Sequence, residues 1–227
     1  MKILLTGGTG LLGQEILSLD SNILSPTRKI MNINDSESCL NFLILNKPDI
    51  LIHAAAFTSP PKCEEFPNEA RQTNVVGTLN LLQVCEQLNI KMVYISTDYV
   101  FSGDNGPYKT TDPINPINLY AITKACGELL VKTYKNSLII RTSFCQKEFP
   151  YDKAFIDQYT SRDYVDIIAP KILKCSKSSV TGIVHVGTTR KTVYELAKTR
   201  KIDVGSIKRS EVNFNIPFDT SFEDLYE

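Results

Sequence analysis

The chain opens on the feature that most restricts its fold. Met1-Lys-Ile-Leu-Leu-Thr6 is a short apolar run that leads directly into Gly7-Gly-Thr-Gly10-Leu-Leu-Gly13, and Gln14-Glu-Ile-Leu-Ser-Leu19 follows with helical character. Strand, glycine turn and helix in that order form a cradle for phosphates. Gly7 makes the tight turn, Gly10 lets the backbone approach a pyrophosphate, and Gly13 lets the helix pack close to the strand. Thr9, Leu11 and Leu12 share that turn, where a helix N-terminus offers free N–H donors and a positive dipole end. A loop that merely reversed the chain would not need a strand before it and a helix behind it.

Strands and helices alternate through the first two-thirds of the 227 residues. Apolar runs at 3–5, 50–53, 92–95 and 137–141 read as strands, and residues 11–19, 36–46, 69–88 and 119–134 read as helices. Val75, Val76, Leu79, Leu82 and Leu88 give the third helix an apolar face at helical period. Such alternation predicts an α/β fold, a Rossmann-type doubly wound parallel sheet with helices on both faces. Ligands of these sheets bind beyond the carboxyl ends of the strands. The chemistry-bearing stretches at 7–13, 54–58, 96–101 and 142–144 all fall there. After residue 144 the pattern changes, with a helix expected at 161–174, a strand at 181–187, a helix at 192–201 and an aperiodic tail from Ser210. Residues 1–144 therefore read as a dinucleotide-binding domain, and 145–227 as a small, shortened C-terminal substrate lobe interwoven with it.

The second strand is expected near Asn22-Ile-Leu-Ser25, where an acidic residue would bond the adenine ribose of NAD. The chain instead continues Pro26-Thr-Arg28-Lys29. Basic residues there suit a 2′-phosphate, which favours NADPH and leaves NADH open; a solvated loop is the plainer alternative for Arg28 and Lys29. Asp35 is a candidate adenine-side contact.

Tyr120-Ala-Ile-Thr-Lys124 places a phenol and an ammonium on one helix face, about 6 Å apart along the axis. The preceding strand ends in two hydroxyls, Ser96 and Thr97, able to reach the same point. Free Tyr titrates near ~10, and a neighbouring ammonium is expected to pull it down towards the range useful for general acid–base catalysis. A Tyr and Lys at this spacing occur by chance on many helices, so the glycine loop carries much of the weight.

Charge balances at 25 basic and 25 acidic residues, which gives no basic surface for nucleic acid. No apolar run approaches the ~20 residues of a membrane span, and Met1 already belongs to a strand the fold needs, so a cytoplasmic setting is expected. Six cysteines without a C-x-x-C pair and only two histidines, His53 and His185, make a metal site improbable. Cys39, Cys85 and Cys126 read as buried thiols, and both histidines as satisfied or core residues rather than catalytic bases.

Taken together, these residues resemble the extended short-chain dehydrogenases/reductases, and within them the dTDP-4-dehydrorhamnose reductase family. The matching stretches are the glycine loop, His53-Ala-Ala-Ala-Phe-Thr58, Asn74-Val-Val-Gly-Thr78, Ser96-Thr-Asp-Tyr-Val-Phe-Ser-Gly103, Tyr120 to Lys124 with Gly127-Glu128, and Arg141-Thr-Ser-Phe144. The resemblance covers most of residues 1–144 and continues weakly through Asp157-Gln158. It implies hydride transfer from NAD(P)H to C4 of a nucleotide-linked 4-keto-6-deoxysugar. Tyr120 would protonate the developing alkoxide, Lys124 would lower its pKa and hold the nicotinamide ribose, and Thr97 would hydrogen-bond the substrate oxygen. Ala54, Ala55, Ala56 and Ser96 would line the cofactor's path, and Asn74 would brace the strand ends beneath it. Thr58, Asp98, Tyr99, Phe144 and Gln158 would face the sugar, although Asp98 serves equally as a turn cap. Glu128 reads as a helix ion pair one turn beyond Lys124. A homodimer is compatible with the resemblance.

Two departures bear on the sugar: a short stretch from Thr142 to Asp157, and Phe144 where the family has Trp. The rivals are a nucleotide-sugar epimerase, which uses the same Tyr and Lys with tightly held NAD, and a non-catalytic regulatory subunit that binds NADP. A dehydratase would want two carboxylates after Thr97, and Asp98-Tyr99 offers one.

Overall fold

A computed structural model describes residues 1–212 and 217–226. Its centre is a five-stranded parallel sheet of β1 (Ile3–Thr6), β2 (Ile50–His53), β3 (Lys91–Ile95), β4 (Ser137–Thr142) and a late strand, β9 (Gly182–Val186), in the order β1-β2-β3-β4-β9. The first four strands are buried almost throughout, as expected of a parallel sheet covered on both faces. Pleating sends successive side chains to opposite layers. Leu5, Ile52, Val93 and Ile140 meet α1 (Leu11–Leu19) and α7 (Val165–Lys177) on one face. Leu4, Leu51, Met92 and Ile139 meet α2 (Ser36–Asn46), α5 (Gly77–Leu88) and α6 (Leu119–Val131) on the other.

The strand expected near 22–25 shrinks to a single bridge. Leu24 accepts from the Leu5 N–H at 2.8 Å and donates to the Ile3 carbonyl at 2.9 Å. Pro26, lacking an N–H, cannot extend the ladder. The chain then crosses back over β1 to reach β2, so the winding direction reverses at β1. That reversal leaves a crevice above the strand ends.

The helix expected over 69–88 is broken. α3 (Pro60–Glu65) and α4 (Pro67–Arg71) lead into a π-helical turn, Gln72–Val76, before α5 begins. The wide turn carries Asn74, which is buried beneath the site. The helix expected at 161–174 starts later, at Val165, because Asp163–Tyr164 forms a strand.

Beyond β4, short pairs build the C-terminal lobe. β5 (Phe144–Cys145) runs parallel to β8 (Asp163–Tyr164), β6 (Lys153–Phe155) is parallel to β11 (Gly205–Ile207), and β7 (Tyr159–Thr160) is antiparallel to β10 (Lys191–Thr192). α8 (Val193–Lys198) is held at its start by a capping box of Thr192 and Glu195. A small core of Phe149, Tyr164, Leu196 and Val204 fills this lobe. Because α7 and β9 belong to the main sheet's layers, the C-terminal third is woven into the first two. Part of the aperiodic tail, 213–216 and 227, lies outside the described residues. The remainder, 217–226, forms a strap. Its backbone bonds Gly103, Tyr108, Tyr159 and His185.

Glu128 does not serve as a local helix pair. Its carboxylate receives Nε and Nη2 of Arg141 from β4 at 2.9–3.2 Å, with both side chains almost wholly buried. Arg141 also donates to the Thr110 carbonyl and lies over the Phe101 ring. Cys39 and Cys85 are buried, whereas Cys126 is half-buried. Among the described residues no helix is long and apolar enough to cross a membrane. Replacing Glu128 by Ala strands the Arg141 charge. The expected cost is ~3–5 kcal/mol, measurable as a lowered urea midpoint, and a loss below ~1 kcal/mol would show that the pair behaves as a surface bridge.

Candidate functional site

A cleft of about 1110 Å³ runs along the carboxyl ends of β1 to β4. Its floor is the glycine loop. Gly7 has φ +79°, and a Cβ there would lie 2.6 Å from the Ala55 nitrogen and 2.8 Å from the Ala54 carbonyl carbon. Only glycine accepts both the left-handed backbone and that approach. A Cβ on Gly13 would run into the Gly7 carbonyl oxygen. Gly10 caps α1 with no side chain of its own, and its N–H donates to the Gly7 oxygen at 3.0 Å. The following amides of α1 therefore open towards the cleft, as an anion-binding helix start requires.

The structure brings most of the expected residues together. Gly7, Thr9, Gly10, Leu11, Leu12 and Gly13 line one end with Arg28. Ala54, Ala55, Ala56 and Thr58 form the adjoining wall from the end of β2. Ser96, Thr97, Asp98 and Tyr99 come from the end of β3, Tyr120 and Lys124 from α6, and Phe144 from β5 just beyond β4.

Three expected contacts lie elsewhere. Asp35 does not line the cleft: its carboxylate caps α2, accepting from the Glu37 and Ser38 amides at 3.0 and 3.2 Å. Asn74 is buried behind the wall. It clamps the Phe57 backbone through both amide atoms and donates to Thr123 at 2.9 Å. Gln158 sits on the lobe, where its carbonyl accepts from Val193. Conversely, Thr142 and Ser143, in the stretch expected at the strand ends, line the cleft without having been given a role, and Arg162 lines it without having been expected there. Arg162 lies in the short turn between β7 and β8, a position no periodicity marks; its Nε donates to the Ser143 hydroxyl at 3.0 Å.

The expected acid–base group, Tyr120 with Lys124, differs from the sequence expectation in its electrostatics. Desolvation, not Lys124, dominates Tyr120: burial pushes the phenol well above its usual value, opposed by a hydrogen bond with Thr97. Lys124 stands 4.0 Å above the Tyr94 ring, and burial pushes its ammonium down to about 7, with Glu128 pulling the other way. Asp98 is buried, and desolvation raises its carboxyl, which Arg162 and hydroxyls of Thr220, Ser143 and Thr97 counteract. Tyr99 meets Tyr120 edge-on with centroids 6.5 Å apart. His53 is held between Thr6 (2.8 Å) and Thr78 (3.1 Å), and burial pushes it down to about 3. A neutral ring bonded at both nitrogens is a strand-end brace. His185 is wholly buried, stacked on Phe222.

The shape and chemistry of the cleft fit a dinucleotide. The glycine turn presents amides where a pyrophosphate belongs. Among the described residues, three that line the cleft carry a buried polar atom without a protein partner: Asn34 Oδ1, Ser96 Oγ and Thr142 Oγ1. Fold and cleft define a Rossmann-type dinucleotide-binding protein. The family model described as RmlD substrate binding domain matches residues 1–174, and the chain belongs to that family, within the extended short-chain dehydrogenases/reductases.

Among its relatives, a dTDP-4-dehydrorhamnose reductase of Aggregatibacter actinomycetemcomitans is 33% identical over 75% of this chain and 61% of its own length. A methionine adenosyltransferase 2 subunit beta of Bos taurus is 33% identical over 57% of this chain and 42% of its own. The chain thus spans about half the length of the curated relatives it matches. The crystal structure of dTDP-4-dehydrorhamnose reductase from Bacillus anthracis str. Ames in complex with NADP superposes with a TM-score of 0.87 at 27% identity, covering 99% of this chain and 91% of that one.

The Lys124 environment makes a direct prediction. In protein carrying 13C-labelled lysine and no ligand, one side-chain signal, absent from Lys124→Met, is expected to titrate near about 7. Lysines that all titrate near ~10.4 would contradict it.

Proposed function

We propose that the chain is an NADPH-dependent reductase of a nucleotide-linked 4-keto-6-deoxysugar, with dTDP-4-dehydrorhamnose as substrate and dTDP-rhamnose as product. The observation that carries this reading is the convergence of Thr97, Tyr120 and Lys124 at one end of a dinucleotide-shaped cleft. The bound nicotinamide would supply the hydride. The protein's own part is position and a proton.

Reduction of a carbonyl needs an acid, and a phenol held above its usual value stays protonated across neutral pH. Tyr120 therefore carries the proton that the developing alkoxide takes, with Thr97 beside it to hydrogen-bond the same oxygen. Charge appearing on the phenol after transfer is opposed by the Lys124 ammonium. Lys124 would also hold the nicotinamide ribose, and Ala54 to Ala56 give the cofactor close passage along the wall. Arg28 faces the end where a 2′-phosphate would lie, which supports NADPH over NADH. At the other end Arg162 supplies a cation suited to the diphosphate of a nucleotide sugar. Thr58, Asp98, Tyr99 and Phe144 would then surround the sugar, and the lobe beyond residue 144 would close over it.

A non-catalytic, NADP-binding regulatory subunit is the rival that one observation favours, since the Bos taurus subunit beta shares as high an identity with the chain as the Aggregatibacter reductase does. The intact Thr97, Tyr120 and Lys124 weigh against it, and against an epimerase the basic Arg28 does the same.

Oxidation of NADPH, followed by its absorbance with dTDP-4-dehydrorhamnose generated in place, tests the activity. Tyr120→Phe is expected to lower turnover at least ~10²-fold while NADPH still binds; unchanged turnover would remove the proposed acid. Arg28→Asp should move the preference from NADPH towards NADH. If the ratio of the two kcat/KM values stays put, Arg28 does not read the 2′-phosphate.

A further inference from the structure

The C-terminal strap reaches the reactive end of the cleft from a distance of 122 residues. Thr220 Oγ1 donates to Asp98 Oδ2 at 2.9 Å, and both residues are buried. The strap is firmly seated around this contact. Asp219 donates its N–H to the Gly103 carbonyl and Thr220 donates to Tyr159; Phe222 donates to the Ser161 hydroxyl. The Asp219 carboxylate is itself engaged by Arg190 at 2.8 Å and by Ser221.

We propose that Thr220 is a positioning residue for the reaction: by donating to Asp98 Oδ2 it loosens the carboxylate's hold on the single hydroxyl proton of Thr97, which the substrate oxygen can then take over. The inference rests on the reductase reading above. Thr97 has one proton and three groups around its oxygen, the Tyr99 N–H, Asp98 and the Tyr120 phenol. Its Oγ1 accepts from the Tyr99 N–H at 3.2 Å and donates to Asp98 Oδ1 at 3.2 Å. The second bond is longer than the Thr220 bond to the same carboxylate. Ser143, fixed by Arg162, also acts to lower the Asp98 carboxyl. With Thr220 donating at 2.9 Å, the carboxylate keeps its shorter bond when the Thr97 proton turns to the substrate. Without Thr220, a buried acceptor must draw on its remaining neighbours, and its hold on the Thr97 proton tightens.

The groups that face Asp98 from the packed elements are Tyr99 beside it, Tyr120 from α6 and Arg162 from the turn before β8; Arg162 also faces Cys145. None of them is altered by a change at Thr220, so a shift in the Asp98 titration reports the lost hydroxyl. Removing a hydrogen bond from the charged form raises a carboxyl pKa.

The test compares Thr220→Val, which keeps the shape, with Thr220→Ser, which keeps the donor. In Thr220→Val, kcat should fall about tenfold, the scale of one hydrogen bond, with the NADPH KM unchanged. Thr220→Ser should restore turnover to within about twofold of the parent. In protein labelled with 13C at the aspartate carboxyls, the Asp98 signal should titrate at higher pH in Thr220→Val than in the parent. An unmoved Asp98 titration, or an equal loss in both variants, overturns the positioning role and leaves the reductase reading standing. A parent protein that binds NADPH but reduces no ketosugar overturns the reductase reading, and with it the catalytic purpose assigned to Thr220, even if the titration moves.

Discussion

Everything at the carboxyl end of the sheet depends on how closely the Gly7 turn approaches the end of β2. Backbone meets backbone there, with no side chain between the loop and Ala54-Ala55. That approach aims the start of α1 into the crevice, and Gly13 lets α1 lie down on the sheet behind it. The cleft exists because two chain segments come nearer than any Cβ would allow. Its length follows from the reversal of winding at β1, which parts the adenine-side loop from the wall formed by β2 and β3. The reactive groups are then supplied by the next strands outward, β3 and β4, and by the helix that joins them.

Burial governs the electrostatics of those groups. A phenol, an ammonium and a carboxyl are all held away from water in one small region, and each is pushed towards its neutral form. For Tyr120 that is the proton-bearing form that the proposed ketone reduction would consume. For Lys124 it means that charge is retained only as far as Glu128 and an incoming ligand favour it. Glu128 joins both themes, since it holds Arg141 rigidly beneath the site and lends Lys124 a negative neighbour.

Much of this architecture was legible in the residue pattern, for identifiable reasons. α1 and α2 match their expected limits because Gly10 and Asp35 stop the preceding chain and an apolar period follows. β2 was readable as an uninterrupted apolar run ahead of small residues. Asp35 shows how a local signal can be assigned the wrong role. An acid just before Ser-Glu-Ser is a helix cap first, and the cap consumes its oxygens. The π-helical turn at 72–76 has no periodic signature, since it inserts one extra residue into a pattern that still looks helical. Proximity of Lys124 to Tyr120 was readable from spacing, but the dominance of desolvation was not, because burial depends on what packs around the pair. Arg162 reaches the cleft, and Thr220 reaches Asp98, only through folding contacts between distant segments.

The strap has a temporal consequence. Asp98 and Thr220 are separated by more than half the chain, and closing so long a loop costs entropy that earlier, nearer contacts must first offset. During synthesis, the glycine loop and the first four strands can assemble while the strap is still inside the ribosome. A chain caught at that stage would already own its nucleotide cradle, yet Asp98 would lack its shortest partner. On the proposed reading, grip on the dinucleotide would thus mature before command of the proton, with the strap as the clasp that completes the site.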